Sequence, residues 1–329
     1  LEHVLDNYPS RKHEGIVVDA ITGDILALAS RPHYKQHDPT SLITDGMNSS
    51  FLTIPFEQYP IGSVYKIIVS AAALESGKYN ENSIFSCNGG IQVGSIWVPC
   101  NSAANSLETI TLREAFAYSC NDTFIKIAQE IGGDAIINMS RKFGLGKSIE
   151  IELPNATGRL MKKNEYTGAG IANLAIGQGS TMVTPLQVAD IITTILNGGI
   201  RKPLKLVNGL VDPEKNIIKN IEKQKLVQNN RIISQLTAAT LVDWMGDVTK
   251  YGTAKHIIDS NIGGSAGKTG TPQVSNGGEL INYGWFAGFF PVNNPKYIIV
   301  VLSLEGGAAD MAVPVFQEIA EEIWLSTNK

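Results

Sequence analysis

A serine and a lysine three residues apart begin one helical segment of the sequence. Ser63 and Lys66 follow a Pro-Gly turn signal and precede an alanine-rich apolar run. Residues three apart on a helix share one face, so the hydroxyl is expected beside the amine. A hydroxyl next to an amine is a nucleophile with a base. The tail repeats this spacing at Ser326 and Lys329, but the position at a helix start favours Ser63 as the nucleophile and Lys66 as its base.

A Lys-Thr-Gly-Thr run near the C-terminus is the second candidate. Residues 268–271 follow a glycine-rich approach and are predicted to form an edge strand beside a cleft. Gly270 leaves room for a substrate backbone, and the open groups of an edge strand bind an extended peptide as an added strand. Lys268, Thr269 and Thr271 offer a cation and two hydroxyls to a carboxylate. An ordinary exposed strand with a turn glycine is the alternative.

The third candidate is the tripeptide Ser119-Cys120-Asn121, which is predicted to join two helices. In an extended tripeptide the first and third side chains point the same way, so a hydroxyl and an amide would face one side with Cys120 buried behind. The same pattern occurs at residues 86–88 and 326–328, but neither copy lies between two helices.

Other chemistries lack sequence support. Gly263 and Gly267 are one residue too close for a phosphate loop, and no helix follows them to bind phosphates. His33 and His37 have the spacing of a zinc helix but lack its glutamate, so no metal site is predicted there. No Gly-x-Ser-x-Gly elbow supports a Ser-His-Asp hydrolase.

Composition limits the class of protein. The 329 residues are 43% hydrophobic, enough for a large core, and the mixed charges sum to −4 without a basic stripe for nucleic acid. No apolar run is long enough to span a membrane. Because the chain begins at Leu1 without a signal peptide, we expect it to be part of a longer protein with an anchor and accessory domain upstream.

Cysteine usage does not indicate a disulfide framework. The three cysteines are Cys87, Cys100 and Cys120. Cys87 and Cys100 flank a hairpin-like segment and could pair, and two unpaired thiols are the alternative.

The predicted elements place strands at both ends of the chain and helices between them. A hairpin within residues 14–29 is expected to pair with strands at 268–271, 283–290 and 297–304. This predicts an α+β fold: a central antiparallel five-stranded sheet flanked by helices, with an all-helical subdomain. One domain would cover residues 1–329, with an α/β part at 1–62 and 200–329 and a mostly helical part at about 63–199. Helices are predicted at 63–77, 107–118, 122–131, 135–143, 184–196, 234–245 and 312–325, and a hairpin within 202–230.

The three motifs occur in the order Ser-x-x-Lys, Ser-x-Asn, Lys-Thr-Gly, a set that is found in penicillin-binding proteins and serine β-lactamases. The chain resembles the transpeptidase domain of the penicillin-binding proteins, particularly the monofunctional class B proteins. The resemblance extends to residues 14–27, to 175–187 and to Gly252-Thr253-Ala254, and so covers nearly the whole chain.

The resemblance implies a D,D-transpeptidase. Ser63 would attack the penultimate D-Ala carbonyl of a peptidoglycan stem peptide, with Lys66 as a base whose pKa is lowered by burial and by Lys268. Ser119 would relay a proton to the leaving amine, and Asn121 would hold the substrate amide.

The rest of the implied site binds the substrate ends. Lys268, Thr269 and Thr271 would bind the terminal carboxylate beside Gly270, and the backbone N–H groups of Ser63 and Thr271 would form the oxyanion hole. No cofactor is implied. The partners would be stem peptides, β-lactams and cell-wall synthesis proteins, but not nucleic acid, at the outer face of the bacterial cytoplasmic membrane.

Two alternatives share the motifs. A serine β-lactamase or D,D-carboxypeptidase would hydrolyse the acyl-enzyme, but Glu152 does not match the spacing of a deacylating glutamate of class A β-lactamases. A β-lactam sensor domain would use acylation as a signal, and the Gly177-Gln178-Gly179 region argues against one.

Overall fold

The computed structural model describes residues 1–8, 12–32, 55–100, 108–220, 230–257 and 260–328. The predicted histidine pair, His33 and His37, lies outside these ranges. None of the helices within them combines the length and the apolar character that a membrane crossing requires.

Nine helices and fifteen strands can be assigned within the described ranges. The helices are α1 (Glu2–Asp6), α2 (Lys66–Glu75), α3 (Leu112–Ala117), α4 (Asn121–Ile131), α5 (Gly133–Lys142), α6 (Gly168–Ala175), α7 (Pro185–Leu196), α8 (Gln235–Lys250) and α9 (Val313–Thr327). The strands are β1 (His13–Asp19), β2 (Ile25–Arg31), β3 (Tyr59–Pro60), β4 (Ile84–Ser86), β5 (Gly90–Val93), β6 (Ile96–Pro99), β7 (Thr109–Thr111), β8 (Met182–Val183), β9 (Gly209–Val211), β10 (Ile217–Asn220), β11 (Ala266–Gly270), β12 (Gln273–Asn276), β13 (Glu279–Asn282), β14 (Gly284–Phe290) and β15 (Tyr297–Ser303).

The five-stranded antiparallel sheet has the order β11-β14-β15-β1-β2, which confirms the predicted pairing of the first hairpin with the last three strands. Every residue of β14 is buried, so both faces of this strand are covered. Its apolar run has no polar alternation because neither face meets water. The strand β11 lies at one edge of the sheet, as the sequence predicts.

Helices cover the sheet. The C-terminal helix α9 packs on β14, where the rings of Phe316 and Phe286 meet edge to face at 4.6 Å between centroids. Helix α8 packs along β11, and α7 contacts β15 and β1. Helix α7 falls within the predicted helical part but also supports the sheet.

The predicted helical subdomain is not purely helical. Helices α2 to α6 make up most of it, and α2 contacts α4, α5 and α8. Three two-stranded ribbons also lie in or beside it: β4 with β7, β5 with β6, and β3 with β8. Residues 84–99, which show no clear periodicity in sequence, contain three of these strands. Pairing, rather than a periodic apolar face, stabilises them.

The predicted helix starts are mostly confirmed. Thr111 and Thr184 begin α3 and α7 with capping boxes, in which each side chain accepts from the N–H three residues on. Ser234 caps α8, because its side-chain oxygen accepts a hydrogen bond from the N–H of Thr237. The helix predicted from Leu107 was placed too early, because residues 109–111 pair with β4 as a strand and α3 begins only at Leu112.

Candidate active site

Ser63 lies on one turn of 3-10 helix, Gly62–Tyr65, and Lys66 is the first residue of α2. In a 3-10 helix the side chains of residues three apart lie directly one above the other. The side chains of Ser63 and Lys66 therefore lie on the same face of the turn. Ser63 is half-buried and lines a cavity, whereas Lys66 is fully buried. The tight turn therefore presents the hydroxyl to solvent-accessible space with the amine beneath it.

Two glycines fix the position of this turn. Gly62 has φ +57°, and a Cβ there would lie 2.8 Å from Cδ of Pro272. Its N–H donates to the carbonyl of Gly177 at 2.9 Å, and a Cβ on Gly177 would overlap that same region, 2.0 Å from the Gly62 carbonyl oxygen. Only glycine fits such close backbone contacts. The resemblance included Gly177, but no local pattern predicts that it packs against the Ser63 turn.

The Lys66 side chain reaches across to the segment between α3 and α4. Its Nζ donates to the Ser119 carbonyl oxygen at 2.7 Å, to Ser119 Oγ at 3.1 Å and to Asn121 Oδ1 at 2.7 Å. These bonds use all three protons of an ammonium group. If Lys66 is neutral, one of these bonds is lost and a lone pair becomes available to accept a proton.

Ser119 and Asn121 face the same side, as predicted, and both contact Lys66, but the backbone differs from the expected extended form. The tripeptide is not extended: Ser119 has φ +56° in the left-handed region, and Asn121 is already the first residue of α4. The sharp reversal at Ser119 turns its hydroxyl and its carbonyl toward the same nitrogen. Cys120 is buried behind them, as expected. A non-glycine residue in the left-handed region is strained, and such strain is common at functional sites.

The two buried lysines influence each other. Burial lowers the pKa of Lys66 to about 8, and negative charge on the nearby thiols of Cys120 and Cys100 opposes that effect. Burial is the main cause that holds the pKa of Lys268 well below its usual range, and the positive charge of Lys66 is the second cause. A proton on one amine therefore makes a proton on the other less favourable. The Lys268 ammonium also lies 5.6 Å from the Phe116 ring centroid, an arrangement that stabilises its charged form.

The edge strand β11 packs directly on the Ser63 turn. A Cβ on Gly270 would lie 2.8 Å from the Ile61 carbonyl oxygen and 3.0 Å from Val64 Cγ2. Gly270 is thus required by packing within the protein, whereas the sequence suggested only room for a substrate. Thr269 Oγ1 lies 2.6 Å from Thr253 Oγ1.

A cavity of about 610 Å³ opens between the turn, the interhelical loop and the edge strand. The predicted residues Ser63, Ser119, Asn121, Thr269, Gly270 and Thr271 line it. Lys66 and Lys268 lie beneath its surface, fully buried. All eight predicted residues are therefore in one region of the molecule.

Sequence reasoning missed part of the lining. Lys255 and His256 are exposed at the cavity, and Ala308 and Ala309 complete it beside Thr271, whose Oγ1 accepts from the Ala308 N–H at 3.2 Å. The segment Gly252–Thr253 also lines the cavity and was included only through the resemblance. These residues lie on loops without a distinctive pattern, so only the fold brings them to the site.

Glu152 lies away from this cavity. It is exposed in an irregular segment and is not among the lining residues. Its position agrees with its mismatch to the spacing of a deacylating glutamate.

The family of the chain is apparent from comparison with known proteins. A profile of the Penicillin binding protein transpeptidase domain matches residues 15–323. Penicillin-binding protein PbpB of Mycolicibacterium smegmatis is 30% identical over 332 residues, covering 94% of this chain and 49% of PbpB. The chain thus spans about half the length of that curated relative.

Solved structures share the fold. The D,D-transpeptidase domain of a peptidoglycan glycosyltransferase from Eggerthella lenta has a TM-score of 0.85 and 26% identity, covering 97% of this chain and 80% of that one. Penicillin-binding protein A of M. tuberculosis, as a ceftriaxone acyl-enzyme complex, has a TM-score of 0.83 and 28% identity, covering 94% and 74%. The predicted α+β fold is confirmed.

Proposed function

The chain belongs to the penicillin-binding protein transpeptidase family, and on this premise we propose that it is a serine D,D-transpeptidase that cross-links peptidoglycan stem peptides and is acylated by β-lactams. The observation that supports this most directly is the set of hydrogen bonds from Lys66 to Ser119 and Asn121, one 3-10 turn from Ser63. The proposed nucleophile and proton relay line one cavity, and the proposed base lies beneath its surface.

In the proposed first step, neutral Lys66 accepts the proton of Ser63 as Oγ bonds to the penultimate D-Ala carbonyl carbon. The N–H groups of Ser63 and Thr271 stabilise the oxyanion, with about 3 kcal/mol as a typical contribution of one such donor. Thr271 directly follows the last residue of β11, so its N–H lies beyond the hydrogen bonds that pair β11 with β14. The peptide C–N bond then breaks, and Ser119 relays the proton from Lys66 to the leaving amine.

In the second step, an amine from a neighbouring stem peptide attacks the ester. The new C–N bond forms, the bond to Ser63 Oγ breaks, and the amine proton returns to Ser63 through Lys66. A β-lactam follows the first step only, because its opened ring remains attached and keeps the leaving amine in place.

The substrate's two ends would meet different groups. Asn121 Nδ2 donates to the Pro99 carbonyl and Oδ1 accepts from Lys66, so the amide that would hold the substrate is already fixed. Thr269 and Thr271 line the cavity and would bind the terminal carboxylate. Lys268 would act from beneath through its charge, since a bound carboxylate raises the pKa of a nearby amine. Lys255 and His256 add hydrogen-bond donors at the mouth of the cavity.

Hydrolysis is the second candidate function. A serine β-lactamase or D,D-carboxypeptidase needs a group that activates water at the ester, and exposed Glu152 does not line the cavity. A β-lactam sensor would stop at the acyl-enzyme without turning over stem peptides. We therefore favour transfer to an amine, at the outer face of the bacterial cytoplasmic membrane, with cell-wall synthesis proteins as partners.

A stem-peptide donor ending in D-Ala-D-Ala, with and without an acceptor amine, distinguishes these functions. We expect D-Ala release that depends on the acceptor and yields a cross-linked product. Labelled penicillin should remain attached for many minutes. Rapid turnover to penicilloate would support the β-lactamase instead, and stable labelling without any stem-peptide reaction would support the sensor.

A further inference from the structure

Three buried cysteine thiols meet behind the Ser119–Asn121 loop. Sγ of Cys120 lies 3.2 Å from Sγ of Cys87 and 3.5 Å from Sγ of Cys100, and the third pair is 3.8 Å apart. The sequence leaves open whether Cys87 and Cys100 pair, and in the structure no disulfide joins any two of the three cysteines. Across the ranges that the structure describes, this is the one place where three or more Cys, His, Asp or Glu ligand atoms converge.

The spacing of the sulfur atoms fits a single metal ion. Tetrahedral zinc with Zn–S bonds of about 2.3 Å separates two thiolate ligands by about 3.8 Å. The three observed distances of 3.2, 3.5 and 3.8 Å reach this value or fall slightly below it. Small rotations of the side chains would place all three sulfurs around one ion. Soft thiolate ligands select zinc over magnesium or calcium.

The cluster already favours negative charge. Cys120 is the N-cap residue of α4, where the helix dipole stabilises an anion. Two donors also face the sulfur atoms: Thr123 Oγ1 donates to Cys120 Sγ at 3.4 Å, and the Asp122 N–H donates to Cys100 Sγ at 3.3 Å. A divalent cation would replace the thiol protons and compensate the charge that burial would otherwise penalise.

We propose that Cys87, Cys100 and Cys120 bind a structural zinc ion. The neighbouring carboxylate of Asp122 is also buried, but it is already engaged by the Asn88 N–H at 3.4 Å and by Lys126 at 2.9 Å. We therefore assign three thiolate ligands, and a water molecule would complete the tetrahedral coordination. Sequence reasoning predicted no metal site because these cysteines are 13 and 20 residues apart and come from three different elements.

The ion would connect three segments around the candidate active site. Cys87 follows β4, Cys100 follows β6, and Cys120 lies between Ser119 and Asn121. The Asn121 amide also donates to the carbonyl of Pro99, the residue before Cys100, at 2.8 Å. Zinc would therefore hold the strained loop that contacts Lys66 and fix the β5–β6 ribbon beside it.

Metal content and thermal stability test the site directly. The chain is purified under reducing conditions, analysed for metals, stripped with a chelator and titrated with Zn²⁺. We expect about one zinc per chain and a Tm that falls on stripping and recovers with zinc. Co²⁺ in place of zinc should give thiolate-to-cobalt charge-transfer absorption, and bound zinc should protect the thiols from a thiol reagent.

Variants assign the ligands. Cys87→Ser, Cys100→Ser and Cys120→Ser should each lose the zinc and the zinc-dependent rise in Tm. The matched control is Thr123→Val, since Thr123 Oγ1 donates to Cys120 Sγ at 3.4 Å without being a ligand, and this variant should keep its zinc. If a Cys→Ser variant does not fold, the cobalt spectrum and thiol protection of the unmodified chain still decide.

Several results would overturn the site. These are a chain without zinc whose Tm and thiol reactivity do not respond to Zn²⁺, a Cys87–Cys100 disulfide in the purified chain, or zinc content that persists in all three cysteine variants. These measurements do not use β-lactams or stem peptides. A failure of the zinc site and a failure of the proposed transpeptidase are therefore separately visible.

Discussion

Nζ of Lys66 lies 2.7 Å from Oδ1 of Asn121, so the base candidate at the start of α2 is bound to the first residue of α4. The same nitrogen also binds both oxygens of Ser119. Lys66 thus connects the turn that carries Ser63, the proposed nucleophile, to the proposed proton relay.

Lys66→Met keeps most of the buried volume and removes the amine. We expect the acylation rate constant with a labelled penicillin to fall roughly 10²- to 10⁴-fold, the usual contribution of a general base. The matched control is Lys78→Met, because Lys78 is a half-exposed lysine that pairs with Glu130 on the surface, and this variant should react normally. Normal acylation of Lys66→Met would assign the base to another group.

The pH dependence of acylation follows from the protonation of Lys66. Because burial lowers the pKa of Lys66 to about 8, the neutral base is the minor form below that pH. The rate constant should rise about tenfold per pH unit below it and level off above. Charge on Cys120, Cys100 and Lys268 faces this amine and sets where the midpoint falls. A rate that falls with rising pH over this interval would contradict Lys66 as the base.

Ser119 carries the proposed proton-relay hydroxyl and also has a strained backbone. Two substitutions distinguish the effect of the hydroxyl on the reaction from the effect of the strain on stability. Ser119→Ala and Ser119→Gly both remove the hydroxyl, so both should slow the reaction of a stem-peptide donor. Only glycine relieves the φ of +56°, and it should be more stable than the alanine variant by about 1 kcal/mol in the free energy of unfolding. Chemical denaturation measures this difference. Equal stability of the two variants would show that the backbone is not strained.

Gly270→Ala should disturb the contact between β11 and the Ser63 turn. The new methyl group would lie 2.8 Å from the Ile61 carbonyl oxygen, so we expect slower acylation and a loss of about 1–3 kcal/mol in unfolding free energy. The control is Gly246→Ala within α8, where no atom beyond the neighbouring helix backbone lies within 4 Å of the added Cβ and alanine should be neutral or stabilising. An unchanged Gly270→Ala variant would mean that the strand moves freely away from the turn.

Local signals in the sequence predicted local structure well. The helix-start signals of Thr111 and Thr184 appear as N-cap hydrogen bonds within one turn, which nearest-neighbour chemistry determines. The apolar runs of β14 and β15 and their hairpin were equally readable. The hairpin-like segment between Cys87 and Cys100 is present as β5 and β6. Strand β4 was missed because it depends on pairing with β7 rather than on an apolar period.

Relationships between distant segments were less accessible. The side-chain direction of Ser119 and Asn121 was predicted correctly from an extended tripeptide, but a left-handed residue before a helix start produces it. The roles of Gly62 and Gly270 depend on close backbone contacts with Pro272 and Ile61, which no local pattern reports. The grouping of the three cysteines likewise arises only when β4, β6 and α4 come together.

The central claim is that Ser63 is the nucleophile, and mass spectrometry of a β-lactam adduct tests it most directly. The chain is incubated with a β-lactam, digested, and the modified peptide is sequenced. We predict one adduct on Ser63, its loss in Ser63→Ala, and its retention in Ser326→Ala, which changes the other Ser-x-x-Lys serine, an exposed residue of α9. An adduct on any other residue, or labelling that survives Ser63→Ala, would contradict the account.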